Sequence, residues 1–331
     1  MPMDRRRFAG VALAGLGACA LGSSSAAEDP PPLLPTVRWG KHDITRLLVG
    51  HNPIKGVSHF SDALSREMRE YFADPRRGVQ LLCRCQELGI NCCQMGIRPS
   101  EPPVEELLRA HRGQGGTLEW IATFYSSPKD RESAQRELAG ILRLEPRPIG
   151  IQQFGNTSDL LMREGKIELA LENLKRLRDA GVLVGLGSHN HEVIDCAEDK
   201  GWDVDFYQCS FYRSWFGLDA QRRGDRFDEE ARQSMAQTIR RVAKPCIAFK
   251  VLGASRLCQS PGGVEAALRF AFENIKPNDV VLLGMWQKHK DQVAENTAIV
   301  RKILSVRPTV TPLSHGERGR GGGQDALEVP E

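Results

Sequence analysis

The stretch "GVQLLCRCQELGINCCQMG" (residues 78–96) contains one complete structural unit. An amphipathic helical pattern over 78–88 stops at Leu88-Gly89, and Gly is the expected residue just past a helix end. A short apolar run follows, "INCCQM" (90–95), which alternates too little to have one wet face. Strands apolar on both faces are buried on both faces, which is the condition of a parallel sheet covered by helices. The strand ends in Gln94, a neutral amide where a barrel enzyme often keeps an acid or a base.

The same unit recurs along the chain. Further strand candidates are 46–50, 118–123, 149–154, 182–187, 203–209, 246–251 and 280–284. Between them lie helical patterns such as 132–144, 166–180 and 229–243, one of which stops at Ala180-Gly181. Eight strand–helix repeats in one domain-sized chain predict a (β/α)8 TIM barrel, with "VRWGKHDIT" (37–45) as a short N-terminal hairpin closing its bottom. A doubly wound open sheet is the alternative, but no G-x-G-x-x-G follows the first strand.

The ends read differently. Arg5-Arg6-Arg7-Phe8, an uncharged apolar run and small residues before Glu28 have the layout of an export signal over residues 1–27. The Arg-Arg-x-Phe pattern resembles a twin-arginine signal, so the expected partner is the twin-arginine export machinery and the expected place is the periplasm or another extracytoplasmic space. Leu16-Gly17-Ala18-Cys19 also resembles a lipobox, which would leave a lipid anchor on Cys19. Residues 28–36 read as a Pro-rich linker, 37–304 as the barrel and 305–331 as a disordered, Gly/Arg-rich tail. No later apolar run is long enough for an integral membrane span.

With 45 Lys and Arg against 42 Asp and Glu, interspersed, no basic stripe marks a nucleic-acid partner. Cys83, Cys85, Cys92, Cys93, Cys196, Cys209, Cys246 and Cys258 fall mostly in apolar elements, without zinc-knuckle spacing. They read as free buried thiols, consistent with a chain that folds before export.

Chemistry in such barrels collects at the C-terminal ends of the strands. Those ends carry His51, His59, Gln94, Arg98, Tyr125, Gln153, Asn156, Ser188, His189, Asn190, His191, Gln208, Lys250 and Trp286. Amides and imidazoles dominate, Lys250 is the one strand-embedded cation, and no carboxylate stands at a strand tip. The nearest acids are Asp159 and Glu192, in the loops or helices beyond.

From about Ile44 to Leu304 the chain is similar to the aldo/keto reductase superfamily, in a divergent branch with export signals. The resemblance is carried by "LGIN", "LENLKRLRDAGVLVGLGSHN", "DFYQCSFY", "PCIAFKVLGAS" and "VVLLGMWQKHKDQVAENTAIVRKIL". It implies NADP as cofactor and a small carbonyl or carbohydrate substrate. On the cofactor side it implies Ser188 and Gln208 at the nicotinamide carboxamide and Phe249 stacked on the ring. It further implies Gly253 beside the pyrophosphate, Lys288 and Lys290 at a 2′-phosphate, and Glu295-Asn296 at the adenine end. The family's acid/base tetrad does not carry over: Gln94, Pro99, Phe124 and Phe154 stand at its four positions.

Four chemistries are therefore open. A nicotinamide-linked oxidoreductase would need a rebuilt proton carrier, with His51, His59 or His189 as candidates beside Gln94. A lyase, aldolase or isomerase would use Lys250 as an amine nucleophile. His189-x-His191 with His51 or His59 would hold a divalent metal. A non-catalytic barrel would bind sugars through its amides and Tyr125, Tyr212, Trp215 and Trp286.

Overall fold

A computed structural model describes residues 33–97, 104–214 and 224–305. The export signal with Cys19, most of the linker, Arg98, Pro99, Trp215 and the tail beyond 305 lie outside the described residues.

An antiparallel hairpin comes first, β1 (Thr36–Trp39) with β2 (His42–Thr45). The barrel strands are β3 (Leu47–Gly50), β4 (Cys92–Gly96), β5 (Glu119–Phe124), β6 (Gly150–Gln153), β7 (Leu183–Ser188) and β8 (Phe206–Ser210). After β8 comes a short antiparallel pair, β9 (Arg213–Ser214) with β10 (Asp225–Arg226). The barrel then ends with β11 (Cys246–Phe249) and β12 (Val280–Gly284), and β12 pairs with β3 to close an eight-stranded parallel cylinder. The helices are α1 (Asp62–Tyr71), α2 (Pro75–Glu87), α3 (Val104–Gly113), α4 (Arg131–Leu142), α5 (Gly155–Arg163), α6 (Ala170–Asp179), α7 (His191–Asp199), α8 (Glu229–Arg241), α9 (Gly263–Glu273) and α10 (Gln292–Ser305). The TIM barrel and hairpin expected from periodicity are what the chain forms.

The unit 78–96 shows why. Asp74 caps α2 by accepting from Arg76 N at 3.0 Å, Pro75 opens the helix, and Gly89 (φ 85°) turns the chain back toward the sheet. In β4, Cys93 and Met95 face the helix layer while Cys92 joins the barrel interior.

The interior is divided by height. At the bottom, Leu48, Cys92, Ile121, Phe206, Ile247 and Val280 form an apolar plug. Trp39 from the hairpin seals it, with its ring 5.2 Å from Phe206 and its Nε1 donating to Asn278 O at 3.1 Å. Leu34 is already buried, so chain packing begins inside the segment read as linker. Two residues further along β4, β5 and β8 the lining turns polar, at Gln94, Thr123 and Gln208, and a cavity opens there. Among the described residues no helix is long and apolar enough to cross a membrane.

Candidate active site

The mouth encloses a cavity of about 530 Å³, within the range of small-molecule sites. Its floor is neutral. Gln94 and Gln152 both donate through Nε2 to Thr123 Oγ1, Gln152 at 3.2 Å. Glycine makes room for this layer, since a Cβ on Gly187 would collide with Gln152 Oε1. Gln208 completes the layer from β8, and the Oε1 atoms of Gln152 and Gln208 are buried without a hydrogen-bond partner among the described residues. His51 donates from Nδ1 to the Gln94 carbonyl at 2.9 Å, which leaves Nε2 as the basic nitrogen of its neutral ring.

One wall is an acid–histidine dyad. Asp159, fully buried in the first turns of α5, accepts from His189 Nδ1 at 2.7 Å, from His189 N at 3.1 Å and from Ser188 Oγ at 2.6 Å. The carboxylate fixes the ring tautomer by accepting a hydrogen bond from Nδ1–H, so Nε2 is the proton-accepting atom. The imidazole also meets Phe249 edge to face, with centroids 5.4 Å apart.

Beside it lies a buried ion pair. Lys250 Nζ sits 2.5 Å from Asp225 Oδ1, and the side chains are 9% and 5% exposed. Lys250 follows β11 rather than lying in it: its φ is 58°, a left-handed conformation that costs energy for a residue with a Cβ. That turn swings the ammonium into the mouth, which corrects the reading of a strand-embedded cation whose facing was open. Burial lowers the Lys250 pKa, opposed by Asp225. Asp225 is raised by burial but held below the ordinary carboxylate value by the Lys250 charge, with smaller help from His189 and His59. His59 Nδ1 lies 3.6 Å from Asp225 Oδ2 on the rim, again with a left-handed backbone (φ 55°). Desolvation, then the Lys250 charge, push its pKa down to about 4 against the pull of Asp225.

Across the barrel, Lys55 Nζ donates to Tyr125 OH at 3.2 Å. Tyr125 follows β5, packs against Phe154 with centroids 4.8 Å apart, and places its hydroxyl over Gly96, where a Cβ would collide with it.

Of the residues singled out in the sequence, His51, His59, Gln94, Ser188, His189, Gln208, Phe249 and Lys250 share the cavity lining. Others do not join them. Gly253 (φ 57°) turns the chain behind the lining. Lys288 pairs with Glu67 at 2.7 Å, Glu295 with Lys290, and Asn296 is buried in α10. Phe124 corrects an expectation: strand alternation sends it into the helix-side core and puts Thr123 at the mouth. His191 turns to Asp195 at 3.2 Å on its own helix, Trp286 packs on Tyr71, and Tyr212 on Phe227. Among the described residues no cluster of three His, Cys, Asp or Glu is arranged to hold a metal.

Asp225, Thr123, Gln152 and Lys55 were missed in the sequence. Strand parity would have found Thr123 and Gln152. Nothing in "GDRFDEE" marks Asp225, whose importance comes from the β9–β10 excursion that returns it to the mouth.

No protein-family model matches the chain, and no curated protein matches it. Solved structures do. A candidate aldo-keto reductase of Pseudomonas aeruginosa is 18% identical, with a TM-score of 0.54 over 83% of this chain and 98% of its own. The chain has an aldo/keto reductase-like fold. An aldo-keto reductase of Bacillus halodurans in its holo form gives 13% identity and a TM-score of 0.48 over 82% and 95%. An aldo/keto reductase of Brucella melitensis gives 13% and 0.44 over 82% and 99%. Identity this low speaks for the barrel alone.

Proposed function

We propose that the chain is an NAD(P)-linked oxidoreductase for a small carbonyl or carbohydrate, using an acid/base centre rebuilt at new positions. The observation that carries this reading is the Lys55–Tyr125 contact, set opposite Gln208 and Phe249 across the barrel. The strand order β11-β12-β3-β4-β5-β6-β7-β8 puts β8 and β11 diametrically across from β4 and β5.

NADP(H), when bound, supplies or accepts the hydride. Its nicotinamide end fits the residues present: the orphaned Gln208 Oε1 can accept from a carboxamide N–H, Ser188 lies alongside, and Phe249 offers a ring face. Of the residues expected at the adenosine end, Lys288 pairs with Glu67, Lys290 pairs with Glu295 and Asn296 is buried, all off the cavity lining. The Tyr125 phenol gives its proton to the substrate oxygen as the alkoxide forms. The Lys55 ammonium donates to the phenol oxygen and so stabilises the phenolate left behind. The Gln94–Thr123–Gln152 floor orients hydroxyls without introducing charge. The Arg5-Arg6 pattern supports folding, and loading of any cofactor, before export through the twin-arginine route.

The test is NADPH consumption with a panel of small aldehydes and aldoses. Wild type turns over at least one of them, and Tyr125→Phe lowers kcat by about 10²-fold or more. Equal turnover in the variant removes Tyr125 from the chemistry.

A further inference from the structure

The redox reading leaves the most elaborately held groups of the mouth without a task. Asp159 spends all its accepting capacity on Ser188 and His189, a support that a merely structural histidine does not need. Lys250 pairs with Asp225 at 2.5 Å, which uses one of the three N–H donors of an ammonium, on a backbone held in the left-handed region. Strain retained at a residue aimed into a cavity points to a task there. The dyad and the ammonium belong to one wall, because Phe249, the neighbour of Lys250, carries the ring against which His189 packs.

We propose that His189 and Lys250 form an enolising centre that isomerises a small α-hydroxy aldehyde or ketone without any cofactor. His189 Nε2 removes the proton from the carbon bearing the hydroxyl. The C–H electron pair becomes the C=C bond of an enediolate, and the carbonyl π pair moves onto oxygen, facing the Lys250 ammonium. That oxygen takes up a proton, the neighbouring hydroxyl gives one up, and protonated His189 returns a proton to the former carbonyl carbon. No atom or electron is gained or lost; an aldose becomes a ketose or the reverse. A base alone does not achieve this at neutral pH, and a cation at the developing oxyanion supplies the stabilisation the step requires. The substrate class follows from the floor, where Gln94, Thr123 and Gln152 present neutral donors and acceptors suited to further hydroxyls, with Gln152 Oε1 still open. His189 and Lys250 are the catalytic residues, and Asp159 is a positioning residue.

The experiment incubates the full-length protein, without nicotinamide, in D₂O with dihydroxyacetone, D-erythrulose, D-ribulose or D-fructose. Proton NMR follows loss of the hydrogen next to the carbonyl and appearance of the isomer. At least one ketose exchanges well above its protein-free rate, and His189→Gln and Lys250→Met each slow this by about 10²-fold or more. Asp159→Asn slows it too and moves the His189 ring proton off Nδ1, seen in ¹⁵N-resolved ring spectra; a purely structural Asp159 would leave that signature in place. Exchange at the protein-free rate with all four sugars overturns the proposal, as does exchange indifferent to His189→Gln. If either variant fails to fold, the other, with the wild-type rate, decides. Because the assay holds no nicotinamide, its failure leaves the redox reading standing, and failure of NADPH turnover leaves this one standing.

Discussion

Lys250 and Asp225 meet at 2.5 Å inside the barrel mouth, although they are 25 residues apart and Asp225 arrives on an excursion outside the barrel. Their contact ties the β9–β10 pair to the end of β11. Both charges are withdrawn from water, so each depends on the other.

Asp225→Ala therefore leaves a buried ammonium without its partner, and stability drops by about 3–5 kcal/mol. Urea unfolding monitors this, and the double replacement Asp225→Leu with Lys250→Met recovers most of it. Full stability in Asp225→Ala would mean that the pair is not buried in solution.

His59 gives the fold a pH dependence of known sign. Its pKa is lowered from 6.5 to about 4, so the unfolded chain takes up a proton that the folded chain refuses. The contribution is complete above pH 6.5, is lost as pH falls toward about 4, and is level below that. Because the side chain is 38% exposed, solvent screens part of the effect. His59→Gln flattens the melting temperature between those two values; an unchanged slope would assign it to another group.

Gly187→Ala tests the floor. The added Cβ collides with Gln152 Oε1 and comes within 2.9 Å of Gln153 O, a backbone atom with little room to retreat. Overpacking of this kind costs about 1–3 kcal/mol, and here it also tips Gln152 away from Thr123. Thermal unfolding reads the first effect and weakened substrate binding the second.

The thiols should divide by burial. Cys85, Cys92, Cys93, Cys209 and Cys246 are buried, and desolvation pushes Cys93 up to about 12. Cys258 is exposed, with Cys83 and Cys196 intermediate. Under native conditions an aromatic disulfide reagent modifies Cys258 first among the described thiols and leaves the buried five until the protein unfolds. Rapid reaction of Cys92 or Cys93 would mean an open barrel wall.

The repeat of apolar strands and Gly-terminated helices made the barrel legible, because each unit is a local pattern. Strand parity reached some of the site: Gln94 and Gln208 point inward as alternation requires. The tetrad position that the resemblance implies at Phe124 faces the helix layer instead, because alternation turns Thr123 inward. Lys250 could not be oriented from its sequence, because a left-handed turn breaks the alternation just where it matters. Asp225 and Lys55 were invisible for another reason. Lys55 sits on a loop and Asp225 on the two-residue strand β10, and their partners come from tertiary closure that leaves no spacing in the chain.

The proposed nicotinamide site is tested by calorimetric titration of the purified protein with NADPH. We predict saturable binding that weakens at least tenfold in Gln208→Leu, where the open amide acceptor is gone. Absence of heat with wild type, or equal affinity in the variant, would contradict the account.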